Sequence, residues 1–193
     1  QEIKVISTCT DLSLFKTHSA DKTEKIKTEL GFPLDSKILV YSGALGGNYP
    51  IEDLFLFINT FLALSGKHYC LILSKDQLEE AIQLPERTTL RSVSYNEVSV
   101  YLSACDLGFI YYKKAFSNIG RCPTKLGEYW ACGLPAISPA EVGYVEKIFE
   151  RYPNSGVTVA NWTKTEIQNC LLQVLDFPVN KKLLREAATD YFA

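Results

Sequence analysis

Short apolar runs alternating with helical patterns limit the folds open to this chain more than any other feature. The run from Lys37 to Ser42, "KILVYS", is continuously apolar at its centre, as a strand buried on both faces reads, and a glycine-rich turn follows it. Pro50 then opens a helical pattern with Leu54, Phe57, Ile58, Phe61 and Leu62 on one stripe. Earlier, Ile3 to Ser7 is expected to be a strand, and Ser19 to cap a helix that Gly31 and Pro33 stop. Further strands are expected near Tyr69 to Leu73, Thr88 to Val93, Leu107 to Tyr111, Ala136 to Ser138 and Gly156 to Ala160. Helices are expected near Asp76 to Leu84, from Asn96 (as cap) to Cys105, around Lys125, from Val142 to Arg151, and twice more before the end. Such alternation implies an α/β fold, a Rossmann-like parallel sheet with right-handed crossovers and helices on both faces. Ligands of such sheets bind at the carboxyl ends of the strands.

Composition narrows the partners. The 193 residues lie in the one-domain range, with 47% hydrophobic and 22% charged residues. A net charge of −2, with no basic run interleaved with aromatics, argues against nucleic acid as a partner. No apolar run approaches the ~20 residues needed to span a bilayer. Cys9, Cys70, Cys105, Cys122, Cys132 and Cys170 are scattered without paired spacing, which suggests neither a zinc site nor a disulfide framework. They read as small buried hydrophobes of a reducing, cytoplasmic compartment. His18 and His68 are too isolated for metal ligands or a catalytic base. The chain opens on Gln1 and contains no methionine, which is expected of a piece of a longer protein.

Two segments carry candidate chemistry. In "PTKLGEYWACGLP", Thr124, Lys125, Leu126 and Glu128 stand at the start of a short helix, whose unpaired amides and partial positive charge attract anions. A lysine there suits a bound phosphate, and Glu128 could accept hydrogen bonds from sugar hydroxyls. A surface lysine and a dipole-complementing glutamate would give the same letters. Gly43, Gly46 and Gly47 follow a strand, and glycines let a backbone approach a diphosphate closely, although their spacing is not the dinucleotide fingerprint. An ordinary strand-to-helix turn fits equally. Phe55, Phe57, Phe61, Phe109 and Trp130 read as core, and Asp106 as a cap or spacer of the next strand.

The segment "PTKLGEYWACGLPAIS" resembles the signature of the donor-binding domain in GT-B glycosyltransferases, especially the retaining enzymes of glycosyltransferase family 4. "KILVYSGALGG" is similar to that family's first donor-domain strand and glycine loop. "VSYNEVSVYLSACDLGFIYYK" and "EVGYVEKIFERYPNSGVTV" resemble the elements on either side of the signature, in the family's order. The resemblance implies a single carboxyl-terminal domain that binds a nucleotide-diphosphate sugar without metal. Residues 1–11 would then be the connector from a missing amino-terminal acceptor domain. It implies hexosyl transfer, with retention, to a saccharide or lipid-linked acceptor in surface polysaccharide synthesis, and inactivity of this piece alone. The missing half is where peripheral membrane association would arise.

Carried over residue by residue, Glu128 matches the glutamate that bonds the ribose. The loop around Ser92 and Val93 would read a base edge, with Tyr95 stacking on it; Tyr95 also fits as the residue before a helix capped by Asn96. Two positions depart from the pattern. Ala44 and Asn48-Tyr49 stand where the family has the arginine and lysine that clamp the diphosphate, which leaves Lys125, with Arg121 and Lys114 near it in sequence, to supply the cation. Gly120 stands where the sugar-binding glutamate is expected, offering only backbone, Ser117 or Asn118 in its place. No catalytic residue is therefore assigned. A nucleotide-sugar epimerase of the same architecture and a non-catalytic module with a decayed donor site remain as alternatives.

Overall fold

Strand β1 (Lys37–Ser42) organises the molecule because both of its faces are apolar. Ile38 and Val40 point into one half of the core, Leu39 and Tyr41 into the other, and all four are buried. Strand β2 (His68–Leu73) repeats the pattern: Leu71 and Leu73 face one way, Cys70 and Ile72 the other. Each fully buried side chain of this size contributes roughly 1.5–3 kcal/mol, so a strand apolar on both sides is stable only between two helical layers. The computed structural model describes residues 8–46 and 50–193. The strand expected at Ile3 to Ser7 and the turn residues Gly47, Asn48 and Tyr49 lie outside them, as does much of the connector.

The sheet is completed by β3 (Thr88–Arg91), β4 (Leu107–Phe109), β5 (Ala136–Pro139) and β6 (Gly156–Val159), all parallel in the order β3-β2-β1-β4-β5-β6. The order reverses between β1 and β4, which makes their carboxyl ends the switch point. Helices α1 (Ala20–Glu29), α3 (Tyr95–Ser103), α4 (Thr124–Ala131), α5 (Val145–Arg151) and α7 (Lys181–Phe192) feed one half of the core. Helices α2 (Ile51–Ala63) and α6 (Lys164–Leu175) feed the other. On α2 the expected stripe of Leu54, Phe57, Ile58, Phe61 and Leu62 is buried. Cys70, Cys105 and Cys132 are buried among apolar neighbours.

Four sequence expectations are corrected. The helix expected from Asp76 to Leu84 does not form: Leu84 packs on the core and Leu78 and Ile82 are only half-buried, the rest of the segment is exposed, and Pro85 follows. Its first polar residue, Asp76, bonds instead to the turn after β1. The cap of helix α3 lies two residues earlier than expected, at Ser94 rather than Asn96, and the helix starts at Tyr95; the Glu97 carboxylate accepts from the Ser94 N–H at 3.1 Å and from its hydroxyl at 2.6 Å. Helix α5 starts at Val145 rather than Val142, since Glu141 and Gly143 have φ values of 59° and 49°, which no right-handed helix admits. Strands β3 and β4 are shorter than expected, although the ladder carries on one bond beyond β4, from the Ile110 N–H to the Ile137 carbonyl.

Helix α4 is seated unusually deeply. Tyr129 and Trp130 are fully buried, and a Cβ on Gly108 would lie 2.4 Å from the Tyr129 ring, so only glycine lets this ring lie against β4. The Tyr129 hydroxyl accepts the Ser42 N–H at 3.0 Å and donates to the Phe109 carbonyl at 3.1 Å, bridging β1 and β4 at the switch point. Trp130 Nε1 donates to the Ser155 carbonyl at 2.9 Å. On the outer side of α4, a Cβ on Gly127 would meet Thr10 Oγ1 at 2.4 Å and Phe192 at 2.7 Å, so the segment before α1 and the end of α7 close over this helix together.

Candidate functional site

Burying both ends of Tyr129 fixes where α4 begins, and that start faces the carboxyl edge of the sheet beside the turn after β1. Pro123 caps the helix in an extended conformation, and its carbonyl takes the Leu126 N–H at 2.9 Å. The amides of Thr124 and Lys125, in the first turn, have no acceptor within the helix. The Lys125 ammonium lies 2.7 Å from Glu128 Oε2, one turn on. Glu128 is only 3% exposed. Burial holds its carboxyl above the ordinary glutamate range, and the Lys125 charge partly reverses that push.

A cavity of about 320 Å³ opens in front of this pair, between the turn after β1 and the loop before α3. Gly43, Ala44, Asp76, Val93, Tyr95 and Lys125 are among its walls. Tyr95 is 54% exposed, and its ring meets Phe15 edge-on at 5.5 Å. Burial and the nearby Glu128 carboxylate push its hydroxyl up. A second cavity of about 300 Å³ shares Gly43, Ala44 and Lys125 with the first and is bounded by Thr124 and Tyr111. Gly43, Val93, Tyr95, Thr124 and Lys125 therefore meet around one trough, as the sequence suggested, with Glu128 behind Lys125.

Other expected residues stand differently. Leu126 is buried in the core and offers neither side chain nor amide to the trough. Ser92 is exposed just past β3, outside the cavity walls. Gly46 has φ 81°, the left-handed turn expected of a glycine, but does not line the cavity. Gly47 lies outside the described residues. The turn also spends amides internally: the Gly43 N–H goes to the Leu73 carbonyl at 3.1 Å, and the Leu45 N–H to Asp76 Oδ2 at 2.8 Å. Asp76 was missed because the sequence placed it on a helix. The signal was there in "SKD": Ser74 Oγ accepts the Asp76 N–H at 3.1 Å, a local turn that competes with helix.

Comparison with solved structures fixes the fold. A glycosyltransferase from Rickettsia africae matches with a TM-score of 0.72 at 14% identity, over 98% of this chain and 53% of that one. WaaG, a glycosyltransferase involved in lipopolysaccharide biosynthesis, matches at 0.67 and 16%, over 97% and 50%. HepE from Anabaena, in complex with UDP-glucose, matches at 0.73 and 16%, over 98% and 53%. The fold is that of one half of a GT-B glycosyltransferase. The chain spans about half the length of these glycosyltransferase-fold structures. No protein-family model matches it, and no curated protein sequence does.

Within that half, the loop between β4 and α4 holds the position where a glutamate was sought and Gly120 was found. Asn118 is buried there; its Nδ2 donates to the Lys113 carbonyl at 3.0 Å and its Oδ1 accepts from Arg121 Nε at 2.9 Å. Arg121 also lies over the Tyr112 ring at 4.7 Å, so it braces the loop. Lys114 pairs with Glu141 at 3.3 Å in solvent. Among the three cations weighed from sequence, Lys125 is the one that lines the trough behind the glycine turn. Among the described residues no helix is long and apolar enough to cross a membrane.

Proposed function

We propose that this chain is the donor-binding, carboxyl-terminal half of a glycosyltransferase and that the trough takes a nucleotide-diphosphate sugar. The observation that supports the reading is the Lys125–Glu128 pair, a buried carboxylate and a half-covered ammonium at a helix start, opening on a cavity walled by Gly43, Val93 and Tyr95. In this reading the base lies against Val93 and Tyr95. The diphosphate takes Lys125 away from Glu128, and the freed Glu128 oxygen accepts the ribose hydroxyls. Lys125 and the amino end of α4 then stabilise the charge that develops on the departing diphosphate, work that needs no metal. Retention, a hexosyl group, a saccharide or lipid-linked acceptor held by a separate domain, surface polysaccharide as product and a cytoplasmic setting belong to the same proposal.

Titration with UDP and GDP, followed by thermal unfolding, tests it. A ligand at 100 times its Kd stabilises the folded chain by about 2.7 kcal/mol, so a clear upward shift in Tm is expected for one nucleotide at millimolar concentration. Lys125→Ala should weaken that ligand by roughly 10-fold or more, the scale of one charge-assisted hydrogen bond. No shift with either nucleotide would overturn the reading. It would leave a decayed donor site, which one observation favours: Asp76 puts a carboxylate on the glycine turn and occupies the Leu45 amide.

A further inference from the structure

We infer that an apolar knob with a cationic rim, on the loop between β4 and α4, docks this chain on an anionic lipid bilayer. A short 3₁₀ helix, Phe116–Gly120, projects from that loop. At three residues per turn, side chains at i and i+3 eclipse, so Phe116 and Ile119 share one face. Both are exposed, Phe116 at 91%. Tyr144, also exposed, stands beside them, because the Gly143 N–H just before it donates to the Asn118 carbonyl at 2.9 Å. Three of the seven exposed large hydrophobic residues among the described ones therefore gather on two adjoining loops, where singly scattered ones would need no explanation.

The charges around the knob say what covers it. From Lys113 to Arg121 the chain has three cations and no acid, although its net charge is −2. Lys113 and Lys114, both exposed, precede the turn, and Arg121 ends it, held by Asn118 Oδ1. Glu141, paired with Lys114 at 3.3 Å, is the acid in contact with this group, and it leaves the rim positive. Lys147, 5.7 Å from the Tyr144 ring, and its neighbour Glu146 offset one another.

Surfaces that meet another protein are depleted in lysine, since an ammonium group is costly to strip of water. A bilayer takes both parts of this patch. Phe116, Ile119 and Tyr144 enter the acyl boundary and regain the burial they lack in the folded chain. The lysine stems run along that boundary and leave their ammonium groups among anionic headgroups. By resemblance, membrane association is expected only of the missing half. Here the chain itself carries the surface, whether or not the trough binds a nucleotide.

Sedimentation with vesicles tests it, using phosphatidylcholine alone and phosphatidylcholine with roughly one part in three of phosphatidylglycerol. The chain is expected to partition at least about 10-fold more strongly onto the anionic vesicles, and ~0.5 M salt to release it. Lys113→Gln together with Lys114→Gln should weaken partitioning roughly 25-fold, about 5-fold for each cation. Phe116→Ser should weaken it about 10-fold, while Leu34→Ser, at an exposed apolar residue elsewhere, should change nothing. All these side chains are exposed, so each variant should keep its Tm. As a second readout, Phe116→Trp emission should move to the blue with anionic vesicles and be quenched by brominated lipid. Partitioning that is absent, equal on both vesicles, or indifferent to the Phe116 and lysine substitutions overturns the inference. So does Phe116-dependent self-association without vesicle binding, which would make a second copy the occupant. A Tm shift with UDP or GDP but no vesicle binding refutes this surface alone; vesicle binding without that shift refutes only the donor reading.

Discussion

The two edges of the sheet use polar residues in opposite ways. At the amino edge, charged groups are spent on the backbone. Asp106 Oδ2 accepts the Ile38 N–H at 2.9 Å and its Oδ1 the Lys37 ammonium at 3.0 Å, tying β1 to the start of β4. Arg87 donates to the carbonyls of Leu62, Ser65 and His68 at 2.9, 2.7 and 2.9 Å, covering the end of α2, where carbonyls lack partners. At the carboxyl edge, Lys125, Glu128, Asp53 and Glu141 stand in or behind cavities and bond chiefly to one another or to other side chains. Each edge also holds a non-glycine residue at positive φ. Arg87, at 54°, is kept there by three hydrogen bonds; Glu141, at 59°, has one exposed ion pair. Backbone-bracing charges and cavity-side charges therefore occupy opposite edges of this sheet.

That separation can be broken experimentally, and the largest effect should come from the amino edge. Arg87→Ala removes three charge-assisted bonds and should cost about 2–4 kcal/mol in urea unfolding while leaving ligand response unchanged. Lost binding with intact stability would reverse the assignment of edges. The next effect lies at the carboxyl edge. Glu128 has its folded-state pKa raised above 4.5 by burial, so the folded chain holds that proton more tightly than the unfolded one. Stability from this group is present at low pH and falls as pH rises from about the unfolded value through the folded one. Glu128→Gln should flatten that fall and abolish the nucleotide shift; an unchanged pH profile would remove Glu128 as its source. The smallest effect is expected for Lys67→Ala. Its pair with Asp35, at 2.5 Å, is fully in solvent, and no measurable change is expected at 0.15 M salt.

Most of the fold was legible because periodicity carried it. The bounds of β1 coincide with the apolar run "KILVYS", and the stripe of α2 was readable residue by residue. The Asp76 segment was misread because Leu78 and Ile82 have helical spacing, while nothing in the sequence says that they are only half-buried and that Asp76 bonds to the turn after β1. The trough was legible where its residues sit in one short segment, as Thr124 and Lys125 do. The cavity beside Trp162 and Asp53 was not, since these two residues meet across 109 positions of chain and neither belongs to a motif. The one available sign was an aromatic in the polar stretch "ANWTKTE", directly after a strand end.

The clasp over α4 also bears on how the molecule matures. A chain emerging from the ribosome amino end first has β1 to β5 in hand well before α7 is made. Until Phe192 arrives to meet Thr10, whose N–H donates to its carbonyl at 2.6 Å, the outer face of the Lys125–Glu128 helix is bare apolar surface. The end of α4 that carries Lys125 thus gains its final seat last, and a nascent chain stalled short of α7 would expose that surface to chaperones.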